Sequence, residues 1–309
     1  MLSLLETEID YFFCLLDLLP RHVLDLNTRI MRMNPIVGST IVALCSRQPS
    51  LVLQAGGRSS CGGVRRFLAS SSSSPSSPNR LLELDSLRNR YCALRHGQSL
   101  ANVAKLISSH PQHATVQHGL SQTGILQAKA AGKDVIEYYF QQAESLLLQG
   151  IAVLSSDYLR AKETAQHVVD AIVLHNDNND DSKKIPLYGG GVVLEERLRE
   201  RWFGDWDGGS DVHYPDVWRD DVMDPSHTHQ NVESVNAVTD RTTACIVEWD
   251  QQRGLDNHLV VLVAHGDVLQ ITQTAFSKHV DGSQHRSLPH LETATLRPLH
   301  LERKEPENV

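Results

Sequence analysis

Tyr91-Cys92-Ala93-Leu94-Arg95-His96-Gly97 runs four apolar or small residues straight into an arginine, a histidine and a glycine. A short apolar run that ends so abruptly predicts a buried strand, here over residues 90–95, feeding a loop. The carboxyl ends of such strands are where α/β proteins place their chemistry. Three other stretches have the composition to converge on it: Ser155-Ser156-Asp157-Tyr158-Leu159-Arg160, Leu198-Arg199-Glu200-Arg201-Trp202-Phe203-Gly204 and Val261-Leu262-Val263-Ala264-His265-Gly266. Together they supply two histidines, two arginines and a carboxylate, a set suited to an anionic phosphate held against a nucleophilic imidazole.

Outward from this stretch, short apolar runs alternate with helical periodicity. Strands are expected near 90–95, 151–155, 192–195, 259–264 and 293–299, and helices over 121–142, 158–174, 234–252 and 267–277. In the helix over 234–252, Val235, Val238, Thr242, Cys245, Ile246 and Trp249 fall on one stripe and read as core. The alternation predicts a three-layer α/β/α sandwich around a mostly parallel sheet. The polar stretches 176–184 and 204–231 read as surface connections, and Gly189-Gly190-Gly191 as a turn, because no phosphate-loop pattern follows a strand into a helix there.

The chain has 309 residues, 40% hydrophobic content and a net charge of −8. That is enough for a packed core. Residues 1–80 carry 5 acidic and 8 basic side chains, so the remainder is still more acidic. A balance of this sign argues against nucleic acid as a partner, and an anionic ligand would need locally concentrated positive charge. The cysteines Cys14, Cys45, Cys61, Cys92 and Cys245 are scattered without a CxxC pair, which predicts neither a disulfide framework nor a zinc site. His227-Thr228-His229 and the dispersed His110, His113 and His118 find no completing cysteine or carboxylate spacing, so no metal is expected and the histidines read as surface loop.

Residues 31–80 lack Asp and Glu but contain Arg32, Arg47, Arg58, Arg65, Arg66 and Arg80 and the run Ser70–Ser74. This composition fits an organelle transit peptide, with Arg65-Arg66-Phe67-Leu68-Ala69-Ser70-Ser71 similar to mitochondrial processing sites. The expectation is a mitochondrial leader and Ser-rich linker over 1–80, followed by a folded domain over 81–309; plastid and cytoplasmic locations are the alternatives. Glu6, Glu8, Asp10, Asp17 and Asp25 are unlike a presequence start, so translation from Met31 or Met33 is an alternative to Met1. No apolar stretch reaches the roughly 18–20 residues that span a bilayer.

The chemistry assigns roles. Flanking arginines repel a second positive charge and so favour neutral His96, the form that can attack phosphorus. Arg95 and Arg160 can grip nonbridging oxygens while His265 donates from the opposite side. An alkoxide leaves poorly at neutral pH, and Glu200, its pKa raised by a bound dianion, can supply the proton and later activate water.

At this point the residues resemble the histidine phosphatase superfamily, which includes cofactor-dependent phosphoglycerate mutases and fructose-2,6-bisphosphatase. Arg95-His96-Gly97-Gln98-Ser99 with Asn102 looks like the N-terminal signature, implying His96 as the phosphorylated nucleophile and Arg95 and Asn102 as phosphate ligands. His118-Gly119-Leu120-Ser121-Gln122-Thr123-Gly124 looks like the helix-opening segment with Ser121 as cap. The stretch 155–165 resembles the one whose arginine, here Arg160, binds phosphate. Leu198–Gly208 resembles the proton-donor stretch, implying Glu200. Ala264-His265-Gly266 matches the second histidine motif, and Arg286-Ser287-Leu288-Pro289 the C-terminal end. The acid-phosphatase branch would instead use an acidic residue close after the second histidine, here Asp267, whose bland reading is a helix N-cap.

The resemblance implies a phosphoglycerate mutase-like fold and a phosphatase acting on a small phosphorylated metabolite or phosphoprotein, needing no cofactor; a homodimer is compatible with it. Glycolytic mutases usually carry a tryptophan directly before the asparagine, where Ala101 stands here, and basic clusters for bisphosphoglycerate, where Asp216, Asp220, Asp221 and Asp224 stand here. A mutase is therefore the second reading and a silent phospholigand-binding scaffold the third. The segments Ser108–Gly119 and Ser210–Asn231 are candidates to roof the pocket, or else solvated connections.

Overall fold

Strand β1 (Arg90–Arg95) pairs in parallel with β4 (His258–Ala264), which pairs in parallel with β2 (Gly150–Ser155), and β2 in turn with the edge strand β3 (Leu187–Leu194). On the other side of β1, β5 (Leu296–Leu299) runs antiparallel, so the five-stranded order is β3-β2-β4-β1-β5. This computed structural model describes residues 77–302 apart from 252, 253 and 279.

The strands alternate between two cores, as a pleated sheet covered on both faces requires. Tyr91, Ala93, Ala152, Leu154, Val260 and Leu262 face one layer, where α6 (Val235–Gln251) contributes Cys245, Ile246 and Trp249 and α7 (Gly266–Ser277) contributes Leu269 and Phe276. Cys92, Leu94, Ile151, Val153, Val261 and Val263 face the opposite layer, met by Ala131 and Val135 of α3 (Gln122–Leu146) and Ala161, Ala165 and Val168 of α4 (Leu159–Asp177). Burying each Val or Leu stabilises by roughly 1.5–3 kcal/mol, so the central strands carry the fold. The predicted α/β/α sandwich is the observed one, with each of the four expected helices present and the predicted stripe of α6 buried.

Four expectations change. The Gly189–Gly191 turn is part of β3: Gly189 and Gly190 take φ of 65° and 71°, and the β2–β3 register shifts between Ile151 and Val153. Glycines at left-handed angles let an edge strand bulge without ending. The stretch 204–231, expected as a surface connection, contains α5 (Tyr214–Met223). Pro215 fits the first turn of that helix, where no backbone donor is lost, but the segment's acidic composition hides its apolar side. His227, expected on a surface loop, is 5% exposed. Folded contacts also begin slightly before residue 81: Asn79 Nδ2 donates to Ala275 O, and Thr243 Oγ1 donates to Pro78 O. The leader expectation otherwise lies outside the described residues. Cys92 and Cys245 are buried free thiols, and among the described residues no helix is long and apolar enough to cross a membrane.

Candidate active site

Parallel β1, β2 and β4 end together, and each delivers a polar side chain at its carboxyl end. After β1 the backbone of His96 donates to Ala264 O at 3.0 Å, which holds the nucleophile loop against β4. Gly97 and Gly124 meet there so closely that a Cβ on Gly97 would lie 2.5 Å from Gly124 O, and one on Gly124 would lie 2.0 Å from Gln98 O. Only glycine allows that approach. Ser121 caps α3 through the Gly124 N–H, as the sequence reading expected.

His96 is 3% exposed. Its Nδ1 faces Gly97 O at 2.7 Å, and Arg160 Nε donates to its Nε2 at 3.2 Å. The ring is therefore placed as the Nδ1–H tautomer, with Nε2 the lone-pair nitrogen, held by Arg160. Burial first, then Arg160 and Arg95, hold its pKa well below the ordinary histidine value, so it is neutral. His265 lies beside it, with ring centroids 5.1 Å apart, and is likewise kept neutral by burial and by Arg160. His265 Nε2 stands 2.9 Å from Ser156 Oγ, and the same hydroxyl accepts from Tyr158 N. In the tautomer whose Nε2 accepts from Ser156 Oγ, Nδ1 carries the hydrogen and is free to donate.

Among the described residues, four buried side-chain polar atoms have no hydrogen-bond partner, and three of them are Arg95 Nε, Arg160 Nη1 and His265 Nδ1. Buried donors left unmet each cost about 1–3 kcal/mol. Arg95, His96 and Arg160 line one cleft of ≈ 240 Å³, which Asn102, Leu106, Glu200, Tyr214, Trp218 and Arg286 complete. Asn102, expected as a phosphate ligand, sits exposed on the rim with its Oδ1 engaged in the capping box of α1 (Leu100–Ala104).

Glu200 is pushed up to about 7 because packing desolvates it and Asp267 adds negative charge, an effect that Arg160 opposes. Asp267 goes the other way: His285, Arg201 and Arg286 hold its carboxyl well below the usual carboxylate range despite burial. Nor is it a helix cap; it takes the indole hydrogen of Trp218 at 2.9 Å and an Arg201 hydrogen at 3.2 Å. Of the two candidate proton donors, Glu200 is the one that can be protonated near neutral pH.

Several contributors escaped sequence reading. Thr164 Oγ1 accepts from Gly97 N at 3.0 Å, fixing the nucleophile loop on α4. Glu163 takes the Leu120 N–H at 2.6 Å. Asp207 accepts from Ser109 N, Ser109 Oγ and His110 N, while Tyr158 Oη and Arg160 Nη2 donate to Ser109 O and Ser108 O. The loop after residue 107, with the one-turn helix α2 (Pro111–Ala114), is accordingly a pinned wall rather than a solvated connection. Arg201, fully buried, makes two bonds of 2.6–2.7 Å to Asp221 of α5 and so ties the lid helix to the loop that carries Glu200. The remote sequence positions of these partners gave no signal of pairing.

A family model of the histidine phosphatase superfamily, branch 1, matches residues 91–309. The chain belongs to that superfamily. Like other histidine phosphatases, it is an enzyme of the phosphatase or mutase type. Among solved structures, a mycobacterial glucosyl-3-phosphoglycerate phosphatase complexed with VO3 is 25% identical, with a TM-score of 0.51 over 68% of this chain and 90% of that one. A second, mycobacterial hydrolase 1, is 23% identical, with a TM-score of 0.50 over 68% and 87% of the two chains. No curated protein matches significantly.

Proposed function

We propose that this histidine phosphatase hydrolyses a small phosphomonoester through a phosphohistidine on His96. The observation that carries the reading is the ring of unmet buried donors, Arg95 Nε, Arg160 Nη1 and His265 Nδ1, around a neutral imidazole. A phosphoryl group would satisfy all three and repay their desolvation.

In the first step Arg160 Nε gives up its hydrogen bond to His96 Nε2, the Nε2 lone pair bonds to phosphorus, the P–O ester bond breaks, and protonated Glu200 gives its hydrogen to the leaving oxygen. Gly97 O stabilises the phosphorylated ring through Nδ1–H. In the second step the Glu200 carboxylate takes a proton from water, the water oxygen bonds to phosphorus, and the P–N bond breaks to return neutral His96 and phosphate. No metal ion enters either step. The size of the cleft, at the lower end for organic ligands, supports a small substrate whose organic part meets Leu106, Tyr214 and Trp218.

The test is phosphate release from an aryl phosphate by the full chain, with chelator present and bisphosphoglycerate absent. Turnover by wild type that vanishes in His96→Ala, with an acid-labile, base-stable phosphoenzyme trapped only in wild type, is the expected result. Isomerisation of 3-phosphoglycerate that depends on bisphosphoglycerate would favour a mutase instead, and tight phosphate binding without turnover a scaffold. For location we propose mitochondrial import; a fluorescent fusion of residues 1–80 that stays cytoplasmic or enters plastids would overturn it.

A further inference from the structure

The pair His227-Thr228-His229 remains outside the chemistry of the cleft. Sequence spacing offers no carboxylate to complete a ligand set, but α5 brings one from seven residues upstream. Asp220, near the end of that helix, has Oδ2 3.0 Å from His229 Nδ1, and one ligand atom each from Asp220, His227 and His229 lies within 4.8 Å of the others. The three residues line one surface cleft with Trp206, Val217 and Gln230.

The buried member is fixed before any ligand arrives. His227 Nε2 stands 2.7 Å from Asp221 Oδ1, while its Nδ1 accepts from His229 N at 3.3 Å. Donation of Nε2–H to a carboxylate makes Nδ1 the lone-pair nitrogen, which a bound ion would take in place of the His229 N–H, the outer carboxylate arrangement that orients histidines bound to metal. Asp221 is itself locked by Arg201. The adjacent aspartates thus divide the work, Asp221 facing inward to the histidine and Asp220 outward to the cleft.

We infer that Asp220, His227 and His229 form a site for a zinc-class divalent cation, separate from the phosphate cleft. Two imidazoles and one carboxylate with room for water suit a tetrahedral ion with bonds of about 2.0–2.2 Å. Contraction from the observed spacing is easy, because the His229 side chain is 70% exposed. A bound ion joins the end of α5 to the loop that follows and, through His227 and Asp221, braces the Arg201 lock on the lid.

The experiment is zinc titration by calorimetry on the untagged full chain, alongside His229→Ala, Asp220→Asn and His96→Ala. The two ligand substitutions lie at accessible positions and leave the fold and aryl phosphatase activity intact. One zinc per chain is expected, raising the Tm of wild type and His96→Ala, with affinity falling at least tenfold in His229→Ala and Asp220→Asn. Absence of binding up to 100 µM zinc overturns the site. So does binding that the two ligand variants keep, or that only His96→Ala loses.

Discussion

The two walls of the cleft are held by different physics. The strand side, from β1, β4 and the start of α4, presents His96, His265 and Arg160 on backbone that parallel pairing makes rigid, and leaves its donors unmet. The lid side, from Glu200 through α5, is held by a buried ion pair, Arg201 with Asp221, extended to Asp267 and Trp218. Unmet donors on rigid strands are preorganised for a ligand, whereas a buried charge pair specifies one placement of a helix at little net gain in stability. In the proposed mechanism the first holds the nucleophile and the phosphoryl group, and the second places Glu200, Tyr214 and Trp218 across the cleft from them.

The largest effect should come from the rigid wall. His96→Ala is expected to lower kcat for aryl phosphate by on the order of 10³-fold or more, with melting temperature nearly unchanged. A residual rate within tenfold of wild type would mean that another group attacks phosphorus.

Glu200→Gln should cost about 10²–10⁴-fold in kcat. Its carboxyl, raised to about 7, must be protonated to act as acid, so wild-type kcat/KM should fall as pH rises through about 7. The same sign holds for stability: a carboxyl raised in the folded state favours folding below its ordinary value and loses that contribution as pH climbs through 7. A profile in which Asp267→Asn, and not Glu200→Gln, removed the alkaline limb would transfer the acid role.

On the lid side, Asp221→Asn leaves Arg201 half-paired in the interior and should destabilise by about 3–5 kcal/mol in denaturant. Replacing both residues with apolar side chains of similar volume should recover most of that loss. Breaking the exposed pair Arg80–Asp240, 2.9 Å long and half accessible at both ends, should change stability by less than about 1 kcal/mol. Between these, Trp218→Ala should raise KM about tenfold for bulky aryl phosphates while moving KM for a minimal alkyl phosphate little, because the indole contacts the organic part and not the phosphoryl group.

The rigid wall was legible from residues alone because each side chain there ends its own strand or comes directly after it: Arg95 ends β1, His96 follows it, His265 follows β4 and Ser156 follows β2. A continuous apolar run, as a strand covered on both faces requires, marks the strand and therefore marks its end. The lid was not legible, since Asp216, Asp220, Asp221 and Asp224 read as a solvated run and one of them, Asp221, is wholly buried. Nothing local distinguishes it; what buries Asp221 is Arg201, twenty residues earlier.

Hydrophobic periodicity and the four strand-end segments therefore determined the α/β/α architecture, the family, and the grouping of Arg95, His96, Arg160, Glu200 and His265, because these depend on local pattern. Tertiary structure alone decided that Nε2 is the lone-pair nitrogen of His96, why Glu200 and not Asp267 holds a proton near neutrality, and how Asp220 reaches His229. Those depend on burial and on partners distant in the chain, and electrostatic energies follow distance in space rather than spacing in sequence.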